Sequence, residues 1–237
     1  MTVDGQYTNK DHEFRDDDSY AQVKYSWTLR ILGKLKIGPN DKLVNAGCGF
    51  GDFSNLAAQE GYQVIAFEPD ENTYKGALIK KDPRVVMTHQ DLFHFKNNHE
   101  ARCVVMHDVL EHIEDEAATI KKLADLLQDQ GILILSVPAI PGLFGFHDEQ
   151  LGHFRRYSKR TLNKALSSSF DVIKIRYLGL STIPVVYWFS KAKRKPYPIE
   201  AVGKKTIVGK IFLGMCKLEG LIPTPIGTSL LVVARKK

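Results

Sequence analysis

From Lys42 to Val137 the chain repeats one pattern: a short apolar run, a turn, then a stretch with helical spacing. Leu43-Val44-Asn45-Ala46 reads as a buried strand, and residues 52 to 59 as a helix stopped by Gly61. Residues 63 to 67 form a second strand. Residues 71 to 81 form a helix that Pro83 ends, and strands follow at 84 to 87 and 102 to 106. The stretch 115 to 128 places Ile120, Leu123, Ala124, Leu126 and Leu127 on or near one face, and Gly131 introduces a fifth strand, 132 to 137. Apolar strands alternating with helices of this length require crossover connections. The sheet is therefore parallel, with helices on both faces.

Before this repeat, Tyr20, Val23, Tyr25, Trp27, Ile31, Leu32 and Leu35 have rough helical spacing, broken by Gly38-Pro39-Asn40. After it come an irregular stretch from Ala139 to Tyr157, a helix over 159 to 167, and two strands, 170 to 177 and 229 to 234. The division expected is a helical N-terminal lid (1–40), a Rossmann-like core (41–177), an insert or substrate cover (178–227) and a final core strand (228–237).

With 237 residues, 43% of them hydrophobic, the chain can bury one good core. Cys48, Cys103 and Cys216 are far apart and form no CxxC or Cys/His spacing, so neither a disulfide nor a metal site is expected, and a reducing cytoplasm fits best. The polar stretch 1–18 lacks a signal-peptide apolar core. The longest apolar run, 178 to 189, is interrupted by Gly179, Ser181, Thr182 and Pro184 and falls short of the roughly 20 residues a membrane span needs. The net charge of +6 is uneven: residues 11–18 are acidic, while 191–195 and 204–217 are basic. Such a surface suits nucleic acid, anionic lipid or an acidic small molecule, or is simply a solvated face.

The strongest local signal is Val44-Asn45-Ala46-Gly47-Cys48-Gly49-Phe50-Gly51, between a strand and a helix. Alternate glycines let the backbone turn sharply and a ligand approach closely, and a helix start offers free N–H groups. The dinucleotide spacing GxGxxG is not met, and Asp52 in the first helical turn would repel a pyrophosphate. A ligand bearing an ammonium tolerates it better, which speaks against a nicotinamide oxidoreductase. Glu68 ends the second strand, where an acid accepts hydrogen bonds from ribose hydroxyls. Gln90-Asp91-Leu92-Phe93 follows the third strand; Asp91 can accept from an adenine amine or simply cap a turn. His107-Asp108-Val109-Leu110-Glu111-His112-Ile113 follows the fourth. Four such signals at the carboxyl ends of successive strands mark the crevice where open α/β sheets bind ligands.

Residues 42 to 177 resemble the class I S-adenosylmethionine-dependent methyltransferases, with the segments NAGCGFG, FEPD, HQDL and HDVLEHIED in that family's order. The resemblance implies an α/β Rossmann-like fold with a seven-stranded, mostly parallel sheet of order 3-2-1-4-5-7-6, the last strand antiparallel. It implies S-adenosyl-L-methionine as cofactor, S-adenosyl-L-homocysteine as product and no metal. Gly47, Cys48, Gly49 and Gly51 would surround the methionine part, Glu68 would take the ribose, and Asp91 and Leu92 the adenine. His107 would border the methionine end, and Asn45, Ala46, Pro69, Asp108 and His112 would complete the set. Arg30 would reach the cofactor carboxylate, as in the quinone-biosynthesis O-methyltransferases that the chain also resembles. Asn45 departs from the acid often found there, which implies altered affinity for the cofactor ammonium.

The segment from His147 to Tyr157 resembles the GHxRRY segment of a small-molecule methyltransferase subgroup. His147 or His153 would act as a general base, with Tyr157 beside them, and Arg155 and Arg156 would orient an acidic or polar substrate. The bland alternative is that these side chains tie down a loop, with the arginines paired to residues 148 and 149. In the insert, Ile207, Val208, Ile211, Phe212, Met215 and Leu218 form an apolar stripe flanked by lysines, either packed on the domain or covering a substrate or membrane surface. Tyr187 and Trp188 would contact the acceptor there. The expected activity is methyl transfer to a small-molecule hydroxyl. The alternatives are an RNA methyltransferase, for which no recognition motif or Asn-Pro-Pro-Tyr-type segment is found, and a non-catalytic cofactor-binding module.

Overall fold

The computed structural model describes residues 19–96, 99–195 and 207–237. The acidic stretch 11–18 and Lys204 and Lys205 lie outside them. Seven strands form one sheet in the order β3-β2-β1-β4-β5-β7-β6. They are β1 (Leu43–Ala46), β2 (Val64–Glu68), β3 (Val85–His89), β4 (Ala101–His107), β5 (Leu127–Pro138), β6 (Phe170–Leu178) and β7 (Ser229–Lys236). The pairs β1–β2, β1–β4, β2–β3 and β4–β5 are parallel, and β7 runs antiparallel to both β5 and β6.

The helices are α1 (Ser19–Lys34), α2 (Asp52–Gln59), α3 (Glu71–Ile79), α4 (Glu116–Leu126), α5 (Phe146–Gln150), α6 (Lys159–Leu166) and α7 (Ile207–Leu221). Short 3₁₀ turns over Leu110–His112 and Pro141–Leu143 follow β4 and β5, and a π-helical stretch spans Val186–Lys193. Side chains alternate across each strand, so the two sheet faces found two cores. On one, Val44, Val104, Leu133 and Val232 pack against Ile120, Leu123, Leu162 and Leu166 of α4 and α6. On the other, Leu43, Val105, Ile134 and Val233 meet Val23, Trp27 and Ile31 of α1 and Phe53 and Ala57 of α2.

β5 begins five residues earlier than the apolar run suggests. Its first residue, Leu127, pairs with Ala101, and an irregularity between Ala101 and Cys103 absorbs the exposed residues 128–130, with Gln130 at φ 59°. Local polarity hides this bulge. The described part of the insert is anchored on the domain through the carboxyl end of α7, while Ile211, Met215 and Leu218 of the expected apolar stripe are exposed rather than packed on it. α7 lies against α1 so closely that a Cβ on Gly220 would sit 2.7 Å from Val23 Cγ1. Arg176 of β6 donates to the carbonyls of Glu219, Gly220 and Ile222 at the carboxyl end of α7. The Glu219 carboxylate accepts from the N–H groups of Gly179, Leu180 and Ser181. Among the described residues no helix is long and apolar enough to cross a membrane.

Candidate active site

The carboxyl ends of β1, β2 and β4 open into one crevice of about 310 Å³. β1 leads into the turn at Gly47 (φ 67°), and Gly51 (φ 83°) starts α2 in the left-handed region. A Cβ on Gly47 would lie 2.7 Å from Val109 Cγ2. Gly47→Ala is therefore expected to cost about 1–3 kcal/mol in left-handed backbone strain and to displace Val109 from the crevice wall. Urea unfolding checks the first expectation and ligand calorimetry the second.

The turn is held by the acid at the end of β2. Glu68 Oε2 accepts from Gly49 N–H at 2.8 Å, and Oε1 from Asp70 N–H at 3.2 Å. Asn45 donates to Ser54 Oγ at 2.9 Å beneath the turn, which fixes its amide. Burial pushes the Cys48 thiol well above its ordinary pKa, so it is no nucleophile. His107, at the end of β4, stands between Thr28 Oγ1 and Ser136 Oγ, each at 3.2 Å. Its ring packs against those of Tyr25 and Phe53, with centroids 5.4 and 5.2 Å away. Burial lowers its pKa to about 3, so the imidazole is neutral at physiological pH.

Beside it, Asp108 adopts φ 52°, takes a hydrogen bond from Ser136 Oγ at 3.0 Å and pairs with the Lys24 ammonium of α1. Burial works against this carboxylate, yet Lys24 holds its pKa below the usual range. Asn45, Gly47, Cys48, Gly49, Glu68, Pro69, His107, Asp108 and His112 all line the crevice, as does Tyr25 of the expected N-terminal lid; so do Lys24, Phe53, Asp70 and Thr73, which sequence reasoning did not assign to it.

Other expected residues lie elsewhere. Ala46 and Leu92 are core side chains, and Gly51 starts α2 behind the crevice. Asp91 is the turn cap its alternative reading described: Oδ1 accepts from the N–H groups of Phe93 and His94, and Oδ2 meets His94 Nδ1. Arg30 does not reach the crevice. It lines a separate cavity of about 240 Å³ with Trp27 and Lys217, between α1 and α7. Lys24 is the cation on the crevice side of α1, because six residues turn a helix by about 240° and put the two on different faces.

The GHxRRY segment behaves largely as a tied loop. Tyr157 is a correction: it is 2% exposed, packs in the α4/α6 core and pairs with Ala139, so it cannot meet a substrate. Arg155 donates to the Glu114 carbonyl, and Arg156 to the Asp148 carboxylate at 2.7 Å and the Ala139 carbonyl at 3.2 Å, which occupies both arginines within the loop. Glu149 pairs with Arg194 instead. The backbone of His147 donates to Ser190 Oγ, and burial lowers its ring pKa to about 4. Tyr187 and Trp188 are half exposed and lie outside the crevice lining.

His153 is the residue of this segment that approaches the site. Its ring meets that of His112 edge to face, with centroids 4.5 Å apart, and its Nδ1 is 2.9 Å from Asp148 Oδ1. Burial and the neighbouring His153 lower the His112 pKa to about 4. Glu111, buried beside them, has its carboxyl pKa raised well above the usual range by burial and by the Asp108 charge. It carried no signal of its own in the sequence.

Comparison with known proteins adds a second line of support. A family model described as a methyltransferase domain matches residues 17–170, more than half of the chain. The ubiquinone biosynthesis O-methyltransferase of Rickettsia typhi is 25% identical over 135 residues, covering 54% of this chain and 54% of that protein. The chain thus spans about half the length, or less, of the curated relatives it matches. Among solved structures, a geranyl diphosphate methyltransferase in complex with SAM has a TM-score of 0.63 at 15% identity, with 92% of this chain and 85% of that one covered. The Burkholderia thailandensis 1,6-didemethyltoxoflavin-N1-methyltransferase, with its substrate and S-adenosylhomocysteine bound, has a TM-score of 0.61 at 14% identity, covering 98% and 84%.

Proposed function

The chain belongs to the methyltransferase-domain family, and from that premise we propose that it moves a methyl group from S-adenosylmethionine to a hydroxyl oxygen of a small-molecule acceptor. The observation that carries this reading is the single crevice in which the glycine turn, the buried Glu68 carboxylate and the neutral His107 converge. The residues fit the cofactor. Glu68 is 9% exposed, and its carboxylate, aligned by two backbone N–H groups, is the kind of acceptor a ribose diol requires. Lys24, ion-paired with Asp108, is the cation in the crevice lining that an amino-acid carboxylate would meet. Tyr25, Phe53 and the uncharged His107 offer ring faces to a sulfonium, which a protonated imidazole would repel.

When bound, S-adenosylmethionine supplies a methyl group already activated on sulfur. The protein's own task is to position the acceptor oxygen and exclude water. α1 contributes by laying Tyr25 and Lys24 across the crevice. His112 is the imidazole that reaches the lining from the acceptor side, and His153 and Asp148 fix it from behind. The named O-methyl transfer of the Rickettsia relative supports an oxygen target. RNA is the poorer reading: Asp52, Glu68, Asp70 and Asp108 line the crevice against one lysine, itself ion-paired.

Calorimetry with S-adenosylhomocysteine tests the reading, followed by transfer of labelled methyl into cell extract and mass identification of the product. No binding at saturating ligand ends the methyltransferase reading, and label on nitrogen or carbon ends the hydroxyl assignment. Lys24→Met is expected to weaken S-adenosylhomocysteine binding roughly tenfold, the worth of one charge-assisted hydrogen bond. Unchanged affinity would show that Lys24 serves Asp108 alone.

A further inference from the structure

We propose that Glu111, His112 and His153 bind one divalent transition-metal ion of borderline softness, such as zinc, on the acceptor side of the crevice. One ligand atom from each residue lies within 4.8 Å of the others. Glu111 is 1% exposed, and its Oε2 has no hydrogen-bond partner among the described residues. A carboxylate oxygen so deeply buried calls for a partner, which a cation between two imidazoles supplies.

His153 is prepared as metal ligands commonly are, with one ring nitrogen committed to an oxygen acceptor. His153 Nδ1 is held by Asp148, whose carboxylate is itself fixed by Arg156 at 2.7 Å and Gly145 N–H at 2.9 Å. That leaves Nε2 to coordinate. The two segments are locked together where Phe154 N–H donates to the Glu111 carbonyl at 2.8 Å.

Zinc binds nitrogen and oxygen at about 2.0–2.2 Å, which spaces tetrahedral ligand atoms about 3.4 Å apart. Two nitrogens and one oxygen suit zinc, iron(II) or manganese(II) and are poor for magnesium, which prefers six oxygens. Three protein ligands leave a position open, and because His112 lines the crevice that position faces the acceptor. An acceptor hydroxyl held there would lose its proton to water more readily, leaving the oxygen lone pair for the new C–O bond. This use of the ion rests on the hydroxyl-methylation reading; its binding does not.

The test is calorimetric titration of the full, chelator-treated chain with zinc sulfate, with magnesium chloride as a second arm. One zinc per chain is expected, with affinity falling roughly 10–100-fold in Glu111→Gln and in His153→Ala. S-adenosylhomocysteine binding, measured on the same samples, reports separately on folding and on the methyltransferase reading. Cobalt(II) added to the wild-type chain should give visible ligand-field absorption that His153→Ala loses. No stoichiometric zinc binding, equal affinity in both variants and wild type, or a preference for magnesium would overturn the site.

Discussion

Glu68→Ala is expected to lower affinity for S-adenosylhomocysteine by at least roughly 100-fold. The side chain acts twice. Its carboxylate aligns the glycine turn by accepting from Gly49 N–H, and it steadies the start of α3 through Asp70 N–H. The same oxygens are placed for the ribose. Hydrogen bonds to a charged group contribute about 1.5–3 kcal/mol each, and two such losses amount to about 3 kcal/mol or more, where about 1.4 kcal/mol is tenfold. Glu68→Gln keeps one acceptor oxygen and is expected to lose less. Calorimetry on both variants decides the matter: wild-type affinity in the alanine variant would remove the ribose assignment while leaving the fold intact.

Asp148→Ala is expected to destabilise the protein by about 3–5 kcal/mol, the usual consequence of leaving one partner of a buried ion pair alone. Asp148 is fully buried and joins Arg156, His153 and the Gly145 N–H, and the Arg156 side chain is itself 4% exposed. Removing the acid strands a guanidinium in a dry interior. The measurement is the urea midpoint at constant slope. The double variant Asp148→Ala/Arg156→Met should be less destabilised than the sum of its parts, since the stranded charge goes with the arginine. Additive losses would show that the pair is not the source of the effect.

The parallel core was legible because each crossover leaves a local mark: an apolar run, a polar turn, a change of period; the strand order came from the family resemblance, because local pattern does not say which strands are neighbours. The glycine turn and Glu68 were legible for the same reason, since both sit where a strand ends. What stayed hidden depends on which way a side chain faces. Lys24 and Arg30 lie on one helix that is apolar on more than one side because it is wedged between the sheet and α7, so spacing alone could not choose between them. Asp91 showed only that an acid follows β3, and the backbone there turns back to use both its oxygens. Tyr157 and His153 are four residues apart in one loop, yet the first is drawn into the core by its pairing with Ala139 and the second is held against His112 by Asp148. Glu111 carried no signal of its own because His153, its proposed co-ligand, is 42 residues away in sequence.

The antiparallel strand β7 sits between β5 and β6, although β6 is made first. As the chain leaves the ribosome, β6 therefore has nothing to join, and the long flank of β5 stays an open template until residues 229–236 arrive. Closure of that gap must await a contact spanning some 90 residues, from Val137 to Leu230, and loop closures of that kind set slow folding steps. During the interval, strands of other chains can add to the same edge. The nascent protein is thus exposed to mispairing late in synthesis, and its yield should depend on whatever shields that edge in the meantime.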